Sequence, residues 1–175
     1  MKARNMALCG LFSALLAICA WIAIPVGDTI FTLQTFGVFL TLSLLGGKRG
    51  TAAIFVYLAL GAVGVPVFTG FRGGVGALMG VTGGYLSGFL LLGLMYWLIT
   101  KVFGSNTKIR VLAMALGLIC CYVFGCLWYR FGYLEQGSAI GMGMIFAKCV
   151  LPYLLPDGCK LWLAWHLTNR LKSHI

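Results

Sequence analysis

The sequence predicts an all-α membrane protein, a compact bundle of six transmembrane helices with an interrupted segment before the last helix. Three observations lead there. Of the 175 residues, 61% are hydrophobic and only 9% are charged, against roughly 25% charged residues in an ordinary soluble domain. Uncharged runs follow one another almost directly, over 5–27, 29–47, 50–71, 73–100 and 111–129, and each approaches or exceeds the roughly 20 helical residues that cross a hydrocarbon core. The remaining charge is segregated: Lys2 and Arg4, Lys48 and Arg49, Lys101, Lys108 and Arg110, then Arg170 and Lys172 occupy alternate connections, nine basic residues with no acid among them. Asp28, Arg72, Arg130, Glu135, Lys148, Asp157 and Lys160 fall on the opposite connections. By the positive-inside bias, the chain is expected in the cell membrane as a multi-pass protein with both termini cytoplasmic.

The first helix is expected from about Met6 to Ile24, ending at the turn-forming cluster Pro25-Val26-Gly27-Asp28. Lys2 and Arg4 before an apolar stretch resemble a signal peptide, but the stretch is too long for one and further spans follow, so an uncut helix is expected. Helix two starts near Leu33 and returns at Gly46-Gly47-Lys48-Arg49-Gly50, a connection short enough to make helices two and three antiparallel neighbours. Helix three fills about 51–63, and Gly64-Val65-Pro66 breaks it. Helix four is expected over about 75–100 and helix five from Val111 to Tyr129. Residues 137–150 are apolar but short, and Pro152 and Pro156 bracket Tyr153-Leu154-Leu155. A half-helix or re-entrant piece there implies a cavity, because broken backbone at membrane depth persists only where protein or water satisfies it. Helix six then begins near Pro156, a favoured first helical residue, and runs to about Leu171. With no inverted repeat, low-complexity tract or long linker, residues 1–175 read as one polytopic membrane domain.

Some function classes are disfavoured at once. A net charge of +10 would suggest nucleic acid in a soluble chain; here it follows membrane sidedness, so lipid is the expected surroundings and no nucleic-acid partner is implied. Cys9, Cys19, Cys120, Cys121, Cys126, Cys149 and Cys159 form no C-x-x-C pair, and most sit in apolar runs where a thiol packs as a small hydrophobe. His166 and His174 are too few and too isolated for a zinc site, so no metal is expected.

Ala3, Ala7, Gly10, Ala14 and Ala17 place five small residues on one stripe of helix one. Such a stripe admits close approach of another helix, either of the same chain or of a separate membrane subunit. Gly76, Gly80, Gly84 and Gly88 repeat the small-xxx-small spacing along helix four, which implies tight packing or room for a ligand beside Arg72 and Tyr85. Asp157 and Lys160, three apart, share a face of helix six. They are either a helix-start ion pair or, with Arg72 on the same side, the polar groups of a site for a small polar or anionic solute. No nucleophile and base, acid pair or metal cluster suggests catalysis.

The run Gly64-Val65-Pro66-Val67-Phe68-Thr69-Gly70-Phe71-Arg72-Gly73-Gly74-Val75-Gly76-Ala77-Leu78-Met79-Gly80-Val81-Thr82-Gly83-Gly84-Tyr85-Leu86 resembles the signature loop and following helix of the BioY biotin transporter family, the substrate-specific subunits of energy-coupling-factor importers. Thr32-Leu33-Gln34-Thr35 is a second match, and Leu151-Pro152-Tyr153-Leu154-Leu155-Pro156-Asp157-Gly158-Cys159-Lys160 a third. Val81 stands where the family commonly has proline, and Gly158-Cys159 replaces a bulkier pair; neither change removes a polar candidate.

The resemblance implies a six-helix subunit that captures biotin on the outer side and delivers it with a transmembrane coupling subunit and two cytoplasmic ATPases. Biotin is then the transported ligand, and no cofactor is implied. Asp157 would accept from the ureido N–H groups, Lys160 and Arg72 would serve its carbonyl or the carboxylate, and Phe68, Phe71 and Tyr85 would cover the apolar ring. Gln34, from the second motif, joins this ligand-binding set. Ala3, Ala7, Gly10, Ala14 and Ala17 become a docking face for the coupling subunit. Three alternatives stay open: a subunit of the same kind for another vitamin, an intramembrane lipid-modifying enzyme using Asp157, Lys160, Arg72 and Glu135, and a structural or channel-forming membrane protein, which would lack saturable binding.

Overall fold

The computed structural model describes residues 3–26, 29–135 and 141–172. Lys2, Asp28, the start of the 137–150 segment and His174 lie outside the described residues, as do the side chains of Glu135 and Lys172. The elements are α1 (Ala3–Trp21), β1 (Ala23–Val26), β2 (Thr29–Thr32), α2 (Gln34–Val63), α3 (Val75–Met79), α4 (Gly83–Phe103), α5 (Thr107–Glu135), α6 (Met142–Cys149) and α7 (Leu151–Lys172). Among the described residues, α1, α4 and residues 107–132 of α5 are each long and apolar enough to cross a membrane. Two arms of α2 and α7 complete six long helical segments. Large apolar side chains such as Leu11, Phe55, Leu98, Ile119, Val123 and Trp162 point outward from the bundle. On a water-soluble surface this much exposed apolar area would be an anomaly; against lipid it is the expected solvent-facing surface.

Helix α2 is continuous by hydrogen bonding but bent into two arms. Gly46 has φ 77° and ψ 174°, a backbone state open to glycine and strained for other residues. The chain reverses there. Gln34 and Tyr57 are 23 residues apart, yet Gln34 Nε2 donates to Tyr57 Oη at 2.6 Å; in a straight helix they would be about 35 Å apart. Gly50 allows the turn to close, because a Cβ there would sit 3.0 Å from Leu42 Cα. Residues 34–45 and 47–63 are therefore the antiparallel pair expected from the short connection. Helix α1 packs along them: Ser13 Oγ donates to the carbonyls of Cys9 at 2.7 Å and Ala53 at 2.8 Å, so one buried hydroxyl ties two helices.

Four expectations about element boundaries need correction. Helix one stops at Trp21, and the chain then forms an antiparallel hairpin in which Ala23 pairs with Thr32 and Val26 with Thr29. The alternation of branched residues around Pro25 suits an edge ribbon better than a helix end. Helix four is not continuous from 75 to 100: a short α3 ends at Met79, Gly80 is extended (φ −67°, ψ 174°), and α4 begins at Gly83. The four-residue glycine spacing thus spans a break, and its two halves do different things. At Gly84 and Gly88 the positions a Cβ would take are occupied by Trp128 and by Cys121 Sγ, while Gly76 faces open space. Helix five is longer than expected, beginning at Thr107 and reaching Glu135. Finally, α7 starts at Leu151, so Pro156 lies inside it. Pro152 sits in the first turn, where a missing N–H costs little, whereas Pro156 leaves the Pro152 carbonyl without its helical donor.

The interruption before the last helix is the short α6, which ends at Cys149; Val150, with φ −121° and ψ −51°, joins it to α7. The main core runs between α2 and α4 and includes Phe39, Leu42, Ile54, Tyr57, Leu92 and Tyr96, all nearly inaccessible. Between α4 and α5 the contact is made by small residues on both sides, with Gly125 lying against the ring of Tyr85. This is the close backbone approach expected where dispersion rather than hydrophobic exclusion holds helices together.

Candidate ligand cavity

A cavity of about 710 Å³ opens between β2, the start of α2, the first half of α4, the second half of α5, the end of α6 and the start of α7. Its size falls within the roughly 300–1,000 Å³ of small-molecule sites. Each wall contributes a different chemistry. Tyr85 and Phe89 come from α4, Leu118, Cys121, Tyr122 and Tyr129 from α5, and Pro152 and Tyr153 from α7. Thr29 and Thr32 of β2, with Thr35 and Thr82, add hydroxyl groups, and Ile30 adds an apolar side chain. The hairpin is held over this region by Tyr153, whose Oη donates to the Ile30 carbonyl at 3.2 Å and whose ring lies 5.2 Å from that of Phe31.

Its wall includes a buried polar triad. Asp157 is only 3% exposed, and both of its oxygens already accept: Lys160 Nζ lies 2.7 Å from Oδ1 and Tyr122 Oη 2.6 Å from Oδ2. Helical spacing brings Lys160 to Asp157, and the packing of α5 on α7 brings Tyr122. A buried carboxylate persists only when paired and hydrogen-bonded, and these two donors supply that. Oriented this way, the triad presents a carboxylate, an ammonium and a phenol to whatever fills the cavity, able to accept and donate hydrogen bonds together.

Asp157, Lys160 and Tyr85 line the cavity. Gln34 does not; it is buried against Tyr57, while its neighbours Thr32 and Thr35 face the cavity. Phe68 lies in the core, 5.5 Å and edge-on from the Tyr57 ring, in space that Gly61 leaves free. Phe71 is exposed and stacks on Trp21 with ring centroids 5.0 Å apart, and the Trp21 indole N–H donates to the Pro66 carbonyl at 2.9 Å. Arg72 is exposed in the same loop, where its carbonyl accepts from the Phe68 N–H at 2.9 Å. The loop thus clamps the end of α1 to the end of α2, away from the cavity lining. Of the docking stripe, Ala3, Ala7, Gly10 and Ala14 are exposed and Ala17 is buried; no atom lies within 4 Å of the Cβ position at Gly10.

Sequence reasoning did not single out Tyr122, Tyr129, Tyr153, Thr32, Thr35, Thr82 or Lys148. The tyrosines carried a usable signal, since a phenol in an apolar helix needs a partner for its hydroxyl.

A bundle of membrane-crossing helices around a cavity with a buried polar triad in its wall belongs to the class of helical membrane proteins that enclose a small-molecule site. The model of the BioY family matches residues 1–175, and the chain belongs to that family. It is 38% identical over 170 residues to the biotin transporter BioY of Thermotoga maritima, covering 97% of this chain and 96% of that one. It is 35% identical over 175 residues to a probable biotin transporter BioY of Pyrococcus horikoshii, covering 99% of each chain. Among solved structures, it resembles the S-component for biotin from an ECF-type ABC transporter, with a TM-score of 0.84 and 26% identity over 98% of this chain and 92% of that one.

Proposed function

We infer that this protein is a biotin-specific S component, a transport subunit and not an enzyme, which captures biotin for an energy-coupling-factor importer. The observation that carries the reading is the Tyr122–Asp157–Lys160 triad in the wall of an aromatic-lined cavity. Biotin offers two ureido N–H donors and one carbonyl on a fused ring whose other half is apolar. Asp157 accepts from the ureido N–H groups, Lys160 donates to the ureido carbonyl, and Tyr85, Phe89 and Tyr122 cover the thiophane ring. The family-wide likeness supports the same ligand.

In this reading residues 1–175 form one membrane domain with both termini cytoplasmic and the cavity open to the outside. The exposed stripe Ala3, Ala7, Gly10 and Ala14 receives a transmembrane coupling subunit, which two cytoplasmic ATPases drive. Internal packing does not compete for these four positions, since they face outward. Cells that lack other biotin importers and carry this chain with a coupling module should accumulate labelled biotin in an ATP-dependent way. Accumulation of a different vitamin, with biotin excluded, would replace the ligand while keeping the transporter class.

A further inference from the structure

Among the described residues, three charged residues line the cavity: Asp157, Lys160 and Lys148. Asp157 and Lys160 are joined at 2.7 Å and cancel one another, and Tyr122 adds a second donor to the carboxylate. The triad is therefore neutral overall and suited to a neutral, multiply hydrogen-bonding group. The uncompensated charge of the cavity sits elsewhere, on Lys148 in the last turn of α6. Lys148 is exposed where Lys160 and Asp157 are not, so it stands at the open rim of the cavity. It makes no salt bridge among the described residues.

We propose that Lys148 is the carboxylate-recognising residue of the site, and that it sets which end of the ligand enters first. The proposal rests on the biotin reading of the cavity. Biotin carries one negative charge, at the far end of an alkyl chain from its ureido ring. The paired Asp157 and Lys160 offer that charge no net attraction, whereas the unpaired Lys148 attracts it; an inverted ligand would bring its carboxylate to a carboxylate already paired with Lys160 and leave Lys148 without a partner. The cavity's net charge of +1 then matches a monoanion whose neutral ring lies at the triad and whose carboxylate lies at α6.

The competing role for Lys148 is structural, a cation complementing the C-terminal end of α6. The two roles differ in what they do to a neutral ligand. Equilibrium binding of biotin and of its uncharged carboxamide should be measured on the purified wild-type protein, Lys148→Met and Lys148→Arg. An exposed ion pair is weak and a desolvated one strong, so Lys148→Met should weaken biotin about five- to fiftyfold and leave the carboxamide within about twofold. Lys148→Arg should restore most of the biotin affinity. Added salt should weaken biotin binding to wild type more than to Lys148→Met. Equal losses for both ligands, or no loss for either, would overturn the role of Lys148 while leaving the biotin reading intact. Failure of wild-type protein to bind either compound would overturn both.

Discussion

Lys160 Nζ sits 2.7 Å from Asp157 Oδ1, one helical turn along α7, and both side chains line the same cavity. An i,i+3 ion pair on an exposed helix contributes only a few tenths of a kcal/mol. Here the acid is buried and its second oxygen is held by Tyr122 from another helix, so the pair fixes the position of a hydrogen-bonding group inside the bundle.

Removing one donor from this triad should affect binding in proportion to its charge. Tyr122→Phe deletes a hydrogen bond to a charged acceptor, worth about 1.5–3 kcal/mol, and should weaken biotin binding by at least about tenfold. Lys160→Met leaves the buried carboxylate without its cation and should cost more, about 2–5 kcal/mol. Titration calorimetry of the two variants tests the order. A Tyr122→Phe protein that binds like wild type would remove α5 from the polar site.

The split glycine ladder makes opposite predictions for its two halves. Gly88→Ala pushes a methyl to within 2.7 Å of Cys121 Sγ and 3.2 Å of backbone atoms, and overpacking of this kind costs about 1–3 kcal/mol. Gly76→Ala meets open space and should leave the thermal midpoint in detergent unchanged or slightly raised, since alanine favours the helix. Equal destabilisation by both changes would argue for one continuous packed stripe.

On α1, Ala7→Trp and Ala14→Trp test the docking face. Both positions are exposed, so the variants should fold and bind biotin normally. Co-purification with the coupling subunit and ATP-driven uptake should fail for at least one of them. Full uptake and full complex formation by both would dismiss the stripe as a partner surface.

Sidedness is open to labelling. On a cysteine-free background, single cysteines at Lys48 and Lys108 should react with an impermeant maleimide only after permeabilisation, and one at Arg72 should react in intact cells. Outside labelling at Lys48 and Lys108 would invert the topology.

Much of this fold was legible because apolar run length and basic connections are local properties, and six long segments follow from them. The antiparallel turn at Gly46 was legible for the same reason. The break at Gly80 was not: a glycine every fourth residue reads as a helical stripe only if the helix is continuous. Pro156 likewise resembled a helix start, but the helix already begins at Leu151, five residues earlier. Asp157 and Lys160 stood out as charges in an apolar context, whereas Tyr122, 35 positions away, looked like any core aromatic. The motif around Gln34 was visible, but which of its side chains face the cavity depends on where α2 begins. Loop direction decides the rest: the loop carrying Phe68, Phe71 and Arg72 folds onto the ends of α1 and α2, and residue spacing within a loop does not encode that.

Equilibrium binding of biotin to the purified wild-type protein and to Asp157→Asn, measured side by side against a panel of other vitamins, bears most directly on function. Wild type should bind biotin saturably at one site in preference to every other vitamin, and Asp157→Asn, folded and equally monodisperse, should bind it at least about thirtyfold more weakly. Equal biotin affinity in the two proteins, or wild-type preference for another vitamin, would contradict the assignment of biotin to the Asp157 cavity.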